Sequence, residues 1–140
     1  MARAAEAAGV VEWVARWVGG RADVVGLLLV GSYARGAARA DSDVDLVLLT
    51  TERGAYLAED GWGAGLGLGE LVRTRRWGVI TERRFRTPSG LEVEFGVGGP
   101  SWACVDPVDP GTRKVVTDGA RILHDPSGAL GALLVACGVG

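Results

Sequence analysis

The segment best suited to chemistry is Gly31-Ser32, ten intervening residues, then Asp43-Val44-Asp45. Val44 to Leu49 is an apolar run of strand length. Residues two apart on a strand share a face, so Asp43 and Asp45 point the same way, with Cα atoms ~6.5–7 Å apart. Two carboxylates that close repel one another in an apolar setting unless a cation joins them. Oxygen-only donors suit Mg²⁺, with Mn²⁺ as a substitute. Mg²⁺ takes one or two carboxylates and fills its shell with water and substrate phosphate. Gly31 has no Cβ, so its backbone can approach a phosphate closely. Ser32 offers an N–H and a hydroxyl, and a short helix starting there would aim further N–H groups at an anion. Arg35 and Arg39 lie in the same connection and can neutralise phosphate charge.

A third carboxylate would complete a site for two ions. Residues 91–97 alternate Leu91, Val93 and Phe95 with Glu92 and Glu94, which places the two acids on one strand face. Glu94, flanked by Val93 and Phe95, is the preferred third ligand. Glu92 is the runner-up.

The elements that must position these residues follow from periodicity. Apolar residues at 10, 11, 14, 17 and 18 predict an amphipathic helix over 3–18, ended by Gly19-Gly20. Val24 to Val30 reads as a buried strand stopping at Gly31-Ser32. Residues 54–69, with glycines at 61, 63, 65, 67 and 69, read as a mobile loop, followed by a short helix near 70–76. The alternating glycines at 61–69 are either a substrate lid or an unstructured insert. Residues 77–87 and 91–97 predict a hairpin around Pro88-Ser89-Gly90. Arg83, Arg84 and Arg86 either line a groove or form a solvated face beside Glu82. Pro107 and Pro110 mark a loop, residues 120–124 a last strand, and Ser127 a cap for a terminal helix. Trp62 and Trp102 read first as packing residues and second as surfaces for a base. His124 reads as structural.

Composition bounds the answer. The chain has 140 residues, which predicts one domain. Fifteen basic residues against seventeen acidic give a net charge of −2, which argues against a bulk nucleic-acid binder but not against a local basic groove. Cys104 and Cys137 are too few for a disulfide framework or a cysteine-rich zinc module, so a reduced, cytoplasmic protein is expected. Glu6 stands where a signal peptide would have an apolar run, and no stretch approaches the ~20 apolar residues of a membrane span.

The Gly-Ser, ten-residue gap, Asp-x-Asp and later apolar–acidic–apolar strand resemble the nucleotidyltransferase superfamily related to DNA polymerase β. Tyr33-Ala34-Arg35-Gly36 and Asp41-Ser42-Asp43 fit the same pattern. The likeness spans about 24–97, with a weaker match at 115–125, where Val115-Val116 through Leu123 is similar to the family's last strand. The resemblance is to a minimal, stand-alone member. It implies an α/β (α+β) fold, a polymerase β palm-like mixed sheet with helices on one face and the active site on the other. It implies transfer of a nucleoside monophosphate from ATP or another NTP to an acceptor hydroxyl, with two Mg²⁺ ions. Asp43 and Asp45 would hold both ions and Glu94 the catalytic one. Gly31 and Ser32, helped by Arg35 and Arg39, would hold the phosphates. The third acid is Glu where the family also uses Asp, one methylene longer.

The acceptor implied is a small molecule or a protein. An alternative is an antitoxin that binds or AMPylates a small helical partner of the HEPN type, and a second is a non-catalytic nucleotide-binding module. The apolar segment Leu130–Val135 is a candidate docking surface for such a partner, or for a second copy of the chain.

Overall fold

The computed structural model describes residues 2–58, 62 and 66–139. Helix α1 (Ala2–Gly19) buries Ala7, Val11, Val14 and Val18, a stripe at spacings of four and three. It leads into β1 (Val24–Val30), which passes directly into the one-turn helix α2 (Gly31–Ala34). Strand β2 (Val44–Thr50) is followed by helix α3 (Arg53–Ala58). Strands β3 (Glu70–Trp77), β4 (Ile80–Arg86) and β5 (Glu92–Gly98) come next. A 3₁₀ turn (Pro100–Ala103), helix α4 (Pro110–Thr117), strand β6 (Ala120–His124) and helix α5 (Ala129–Ala136) complete the chain.

The strands form one mixed sheet in the order β3-β4-β5-β2-β1-β6. The β2–β5 pair is parallel and the others are antiparallel. Its first face carries Leu27, Leu29, Leu46, Leu48, Val93 and Phe95 against α1 and Tyr56 of α3. Its second face carries Leu28, Val47 and Leu49 against Trp102, Val116, Leu130 and Leu133. Covering both faces explains why β1 reads as a continuous apolar run and not as an alternation. The acidic face is therefore not bare: the 3₁₀ turn, α4 and α5 cover its apolar half. Only the half at the start of β2 and β5 is left to the carboxylates.

Several expectations need correction. Glu70–Trp77 is an edge strand and not a helix. Its arginine-rich sequence has weak apolar alternation, and pairing with β4 decides its state. Val115 and Val116 lie in α4, which starts where Asp109 accepts the N–H groups of Gly111 and Thr112. Helix α5 is capped chiefly by Asp125, whose two carboxylate oxygens accept from Leu130 and Gly131; Ser127 Oγ takes only the N–H of Ala129, at 3.3 Å. The Leu130–Val135 segment is not a free docking surface, because Leu130, Leu133 and Leu134 are buried and, of its large apolar side chains, Val135 alone is exposed, at 73%.

Of the glycines at 61–69, those at 61, 63 and 65 lie outside the described residues. Residues 54–58, expected to begin a mobile loop, are helical instead and belong to α3. Trp62 packs in the core: its ring stacks on Trp17 at 6.0 Å and meets Phe95 edge-on at 5.0 Å. Tyr56 ties α3 to the start of β1. Its hydroxyl donates to Asp23 Oδ2 at 2.6 Å and accepts from Arg21 Nε at 2.7 Å, while Thr50 Oγ1 donates to the same Asp23 oxygen.

Candidate active site

The chain changes direction between Val30, which is extended, and Gly31, which has φ +74°. Val30 pairs with Asp45 across β1 and β2, so the turn sits on the Asp45 carboxylate. A Cβ on Gly31 would lie 2.6 Å from Asp45 Oδ2. Two independent constraints, the positive φ and this close approach, therefore demand glycine here. Ser32 follows in the first turn of α2.

The parallel register of β2 and β5 sets Asp45 opposite Glu94. Asp45 and Glu94 both alternate with residues of the first-face core, so both project onto the second face. Asp43 precedes β2 and reaches the same cluster. Arg84, on the adjacent β4 opposite Glu94, sits among the acids. Its Nη1 donates to Asp43 Oδ2 and to Glu92 Oε1, each at 2.7 Å, and its Nη2 donates to Glu94 Oε2 at 2.6 Å. Glu92 is also held by Arg86. Burial alone would depress the Arg84 pKa, but the hydrogen bonds to Asp43, Glu92 and Glu94 outweigh it and raise it. The same arginines lower the Glu92 carboxyl.

Asp45 is the exception. Among the described residues its carboxylate makes no hydrogen bond or ion pair. Burial first, then the charges of Glu94 and Asp43, push its pKa up to about 7. A half-buried carboxylate beside two others without a partner favours a nearby cation. Among the described residues, no three His, Cys, Asp or Glu side chains are gathered in an arrangement able to hold a metal ion. Three of the four acids here turn to Arg84 instead. The donor set still fits Mg²⁺ in kind: oxygens only, with the Asp45 carboxylate unpartnered beside a glycine that has no Cβ to crowd it.

Asp45 and Glu94 open on a cleft of about 640 Å³, whereas Asp43 and Glu92 do not line it. Gly31, Arg35, Asp45 and Glu94 line one part of it, and Val47, Ile80, Trp77 and Trp102 line its apolar walls. Arg35 is anchored by a 3.4 Å hydrogen bond to the Asp118 carbonyl. Arg39 lies in the exposed β1–β2 connection and does not line the cleft; Ser42 Oγ holds its backbone N–H. Of the hairpin arginines, Arg83 is buried on the other face, where it donates to the Leu57 carbonyl. The central place of Arg84, and the walls formed by Trp77 and Glu82, were missed in the sequence. The turn signal held the clue to Arg84: closing Thr87 on Leu91 counts back to Arg84 opposite Glu94.

The nucleotidyltransferase domain model matches residues 12–87, more than half of the chain. The chain belongs to the nucleotidyltransferase family. A nucleotidyltransferase uses an NTP as substrate, and general nucleotidyl transfer is the role the domain carries. The match takes in the second half of α1, Gly31-Ser32, Asp43, Asp45 and Arg84, and ends before Glu92 and Glu94. No curated protein matches the chain. Among the described residues of this nucleotidyltransferase, no helix is long and apolar enough to cross a membrane.

Proposed function

We propose that this nucleotidyltransferase moves a nucleoside monophosphate from ATP or another NTP to a hydroxyl of a small molecule or protein, in a two-metal reaction. The observation that carries the reading is the unpartnered Asp45 carboxylate, touching Gly31 and opposite Glu94. Asp43, Asp45 and Glu94 would hold Mg²⁺, with Glu92 as a substitute for the third ligand. When bound, Mg²⁺ supplies positive charge that acidifies the acceptor hydroxyl and offsets the charge on the departing pyrophosphate.

The remaining roles belong to the chain itself. The backbone N–H groups of Gly31 and Ser32, and the Ser32 hydroxyl, donate to the β and γ phosphates. Arg35, on the cleft wall, adds a charged donor to the same phosphates; Arg39, in the open connection, contributes by screening at longer range. Glu94 orients the acceptor hydroxyl and takes its proton as the acceptor oxygen bonds to the α-phosphorus. The bond from that phosphorus to its bridging oxygen breaks, and pyrophosphate leaves. The apolar cleft walls shelter the nucleoside. The cytoplasm, which supplies NTPs and keeps Cys104 and Cys137 reduced, is the compartment this chemistry requires.

The test uses NTPs labelled at the α-phosphate, with Mg²⁺ and extract of the source cells, beside an Asp43→Ala/Asp45→Ala control. Label on a small molecule or protein that needs both carboxylates supports the reading. Label on a small helical protein would identify an antitoxin-type partner as the acceptor. No label from any NTP, despite NTP binding, would sink the enzymatic reading in favour of a regulatory nucleotide-binding module.

A further inference from the structure

One guanidinium joins three acids drawn from two places in the chain. Besides the three bonds already described, Arg84 Nε lies 3.0 Å from Glu94 Oε2. The Arg84 side chain is only 15% exposed. Arg73 on β3 adds a weaker contact to Glu94 at 3.4 Å. We propose that Arg84 is a resident counter-ion of the metal site, which occupies the place of the divalent cation in the nucleotide-free protein and must be displaced when metal enters with nucleotide. This rests on the metal-dependent reading above.

Four carboxylates share this corner, and like charges so close must be neutralised. A planar guanidinium with five donors can satisfy several of them at once, which an ammonium cannot. Because it is tethered, it competes with a free ion at high effective concentration. The backbone of Arg84 is pinned on both sides, by Arg73 on β3 and Glu94 on β5. Displacement is therefore a rotation of one side chain and leaves the sheet intact. Glu92 retains Arg86 as a partner when Arg84 leaves, with Arg86 Nη2 2.9 Å from its Oε2. Bare metal has to break four short hydrogen bonds to enter. A metal ion that arrives with phosphate oxygens on its other face has more ligands to offset that cost. Metal and nucleotide binding are then coupled: each aids the other by helping to expel Arg84.

The test is Mn²⁺ titration of the full chain, with the free ion followed by electron paramagnetic resonance, for wild type, Arg84→Met and Arg84→Lys. Without nucleotide, Arg84→Met should bind Mn²⁺ at least about tenfold more tightly than wild type, since charge-assisted hydrogen bonds no longer compete. Arg84→Lys should fall between them. A non-hydrolysable ATP analogue should tighten Mn²⁺ binding more in wild type than in Arg84→Met. Thermal melting guards against misfolding: Arg84→Met should melt below wild type in EDTA and gain more from added Mg²⁺. If wild type and both variants bind Mn²⁺ equally, the counter-ion role is wrong while metal dependence stands. If folded wild type and Arg84→Lys bind no Mn²⁺ even with nucleotide, metal dependence itself fails, and the counter-ion role with it.

Discussion

Replacing Asp45 with Asn should stabilise the metal-free protein while removing a ligand of the proposed metal site. The folded Asp45 carboxyl keeps its proton up to about pH 7, whereas its ordinary value is 3.8. Between those values the folded chain binds more protons than the unfolded one. Linkage then requires that unfolding free energy fall as pH rises from about 4 to 7, and level off above. Three pH units at 1.36 kcal/mol each set a ceiling of about 4 kcal/mol. The cluster opens on a cleft, so relaxation and screening reduce this to about 1–3 kcal/mol. Asn has nearly the same shape and no charge, so Asp45→Asn removes this pH dependence. Urea unfolding in EDTA at pH 4.5 and pH 8 measures it. The two proteins should be similar at the lower pH, and the variant more stable by about 1–3 kcal/mol at the higher. Glu82, Glu92 and Asp23 titrate in both proteins and cancel in the difference. Added Mg²⁺ at pH 8 should then stabilise wild type and leave Asp45→Asn unmoved. A variant less stable than wild type at pH 8, or a gap independent of pH, would refute the reasoning.

Other outcomes follow from the same geometry. Gly31→Ala forces an L-residue to φ +74° and drives a Cβ against Asp45 Oδ2; it should cost at least about 1–2 kcal/mol by calorimetry and weaken Mn²⁺ binding. Glu94→Gln should lower kcat about 10²-fold or more, and Glu92→Gln much less, in labelled-NTP transfer assays; equal losses would reverse their ranking. Tyr56→Phe removes the bonds to Asp23 and Arg21 and should cost about 1–3 kcal/mol in urea unfolding without changing Mn²⁺ affinity. Burial raises the Asp23 carboxyl, but the bonds from Tyr56 and Thr50 more than offset it and leave it below 3.8. Its stabilisation is present above that pH and is lost as pH falls through the lowered value, so Tyr56→Phe should also flatten the acid limb of the stability curve.

The candidate site was partly legible because some of its geometry is local. Strand alternation, carried one residue ahead of β2, puts Asp43 on the side of Asp45, and the apolar run of β1 located its own end at Val30. The hairpin from β4 to β5 was legible from its turn residues. Strand β3 was not. Its apolar residues are few, most of its side chains stay exposed, and its state depends on hydrogen bonds to β4 that no local preference encodes. The choice between Glu92 and Glu94 was also beyond periodicity, since both occupy the same face.

The sequence by itself determined the strand-to-turn junction at Gly31, the convergent pair of aspartates, the amphipathic first helix and the family. These rest on short-range spacing, where backbone geometry converts residue order directly into direction. Only the tertiary structure decided that Asp45 faces Glu94, that Arg84 stands among the acids, and that Leu130, Leu133 and Leu134 belong to the core. The physical reason is register. A parallel partner 49 residues away, or a helix returning to cover half a sheet face, is set by how whole elements bury their apolar surfaces together.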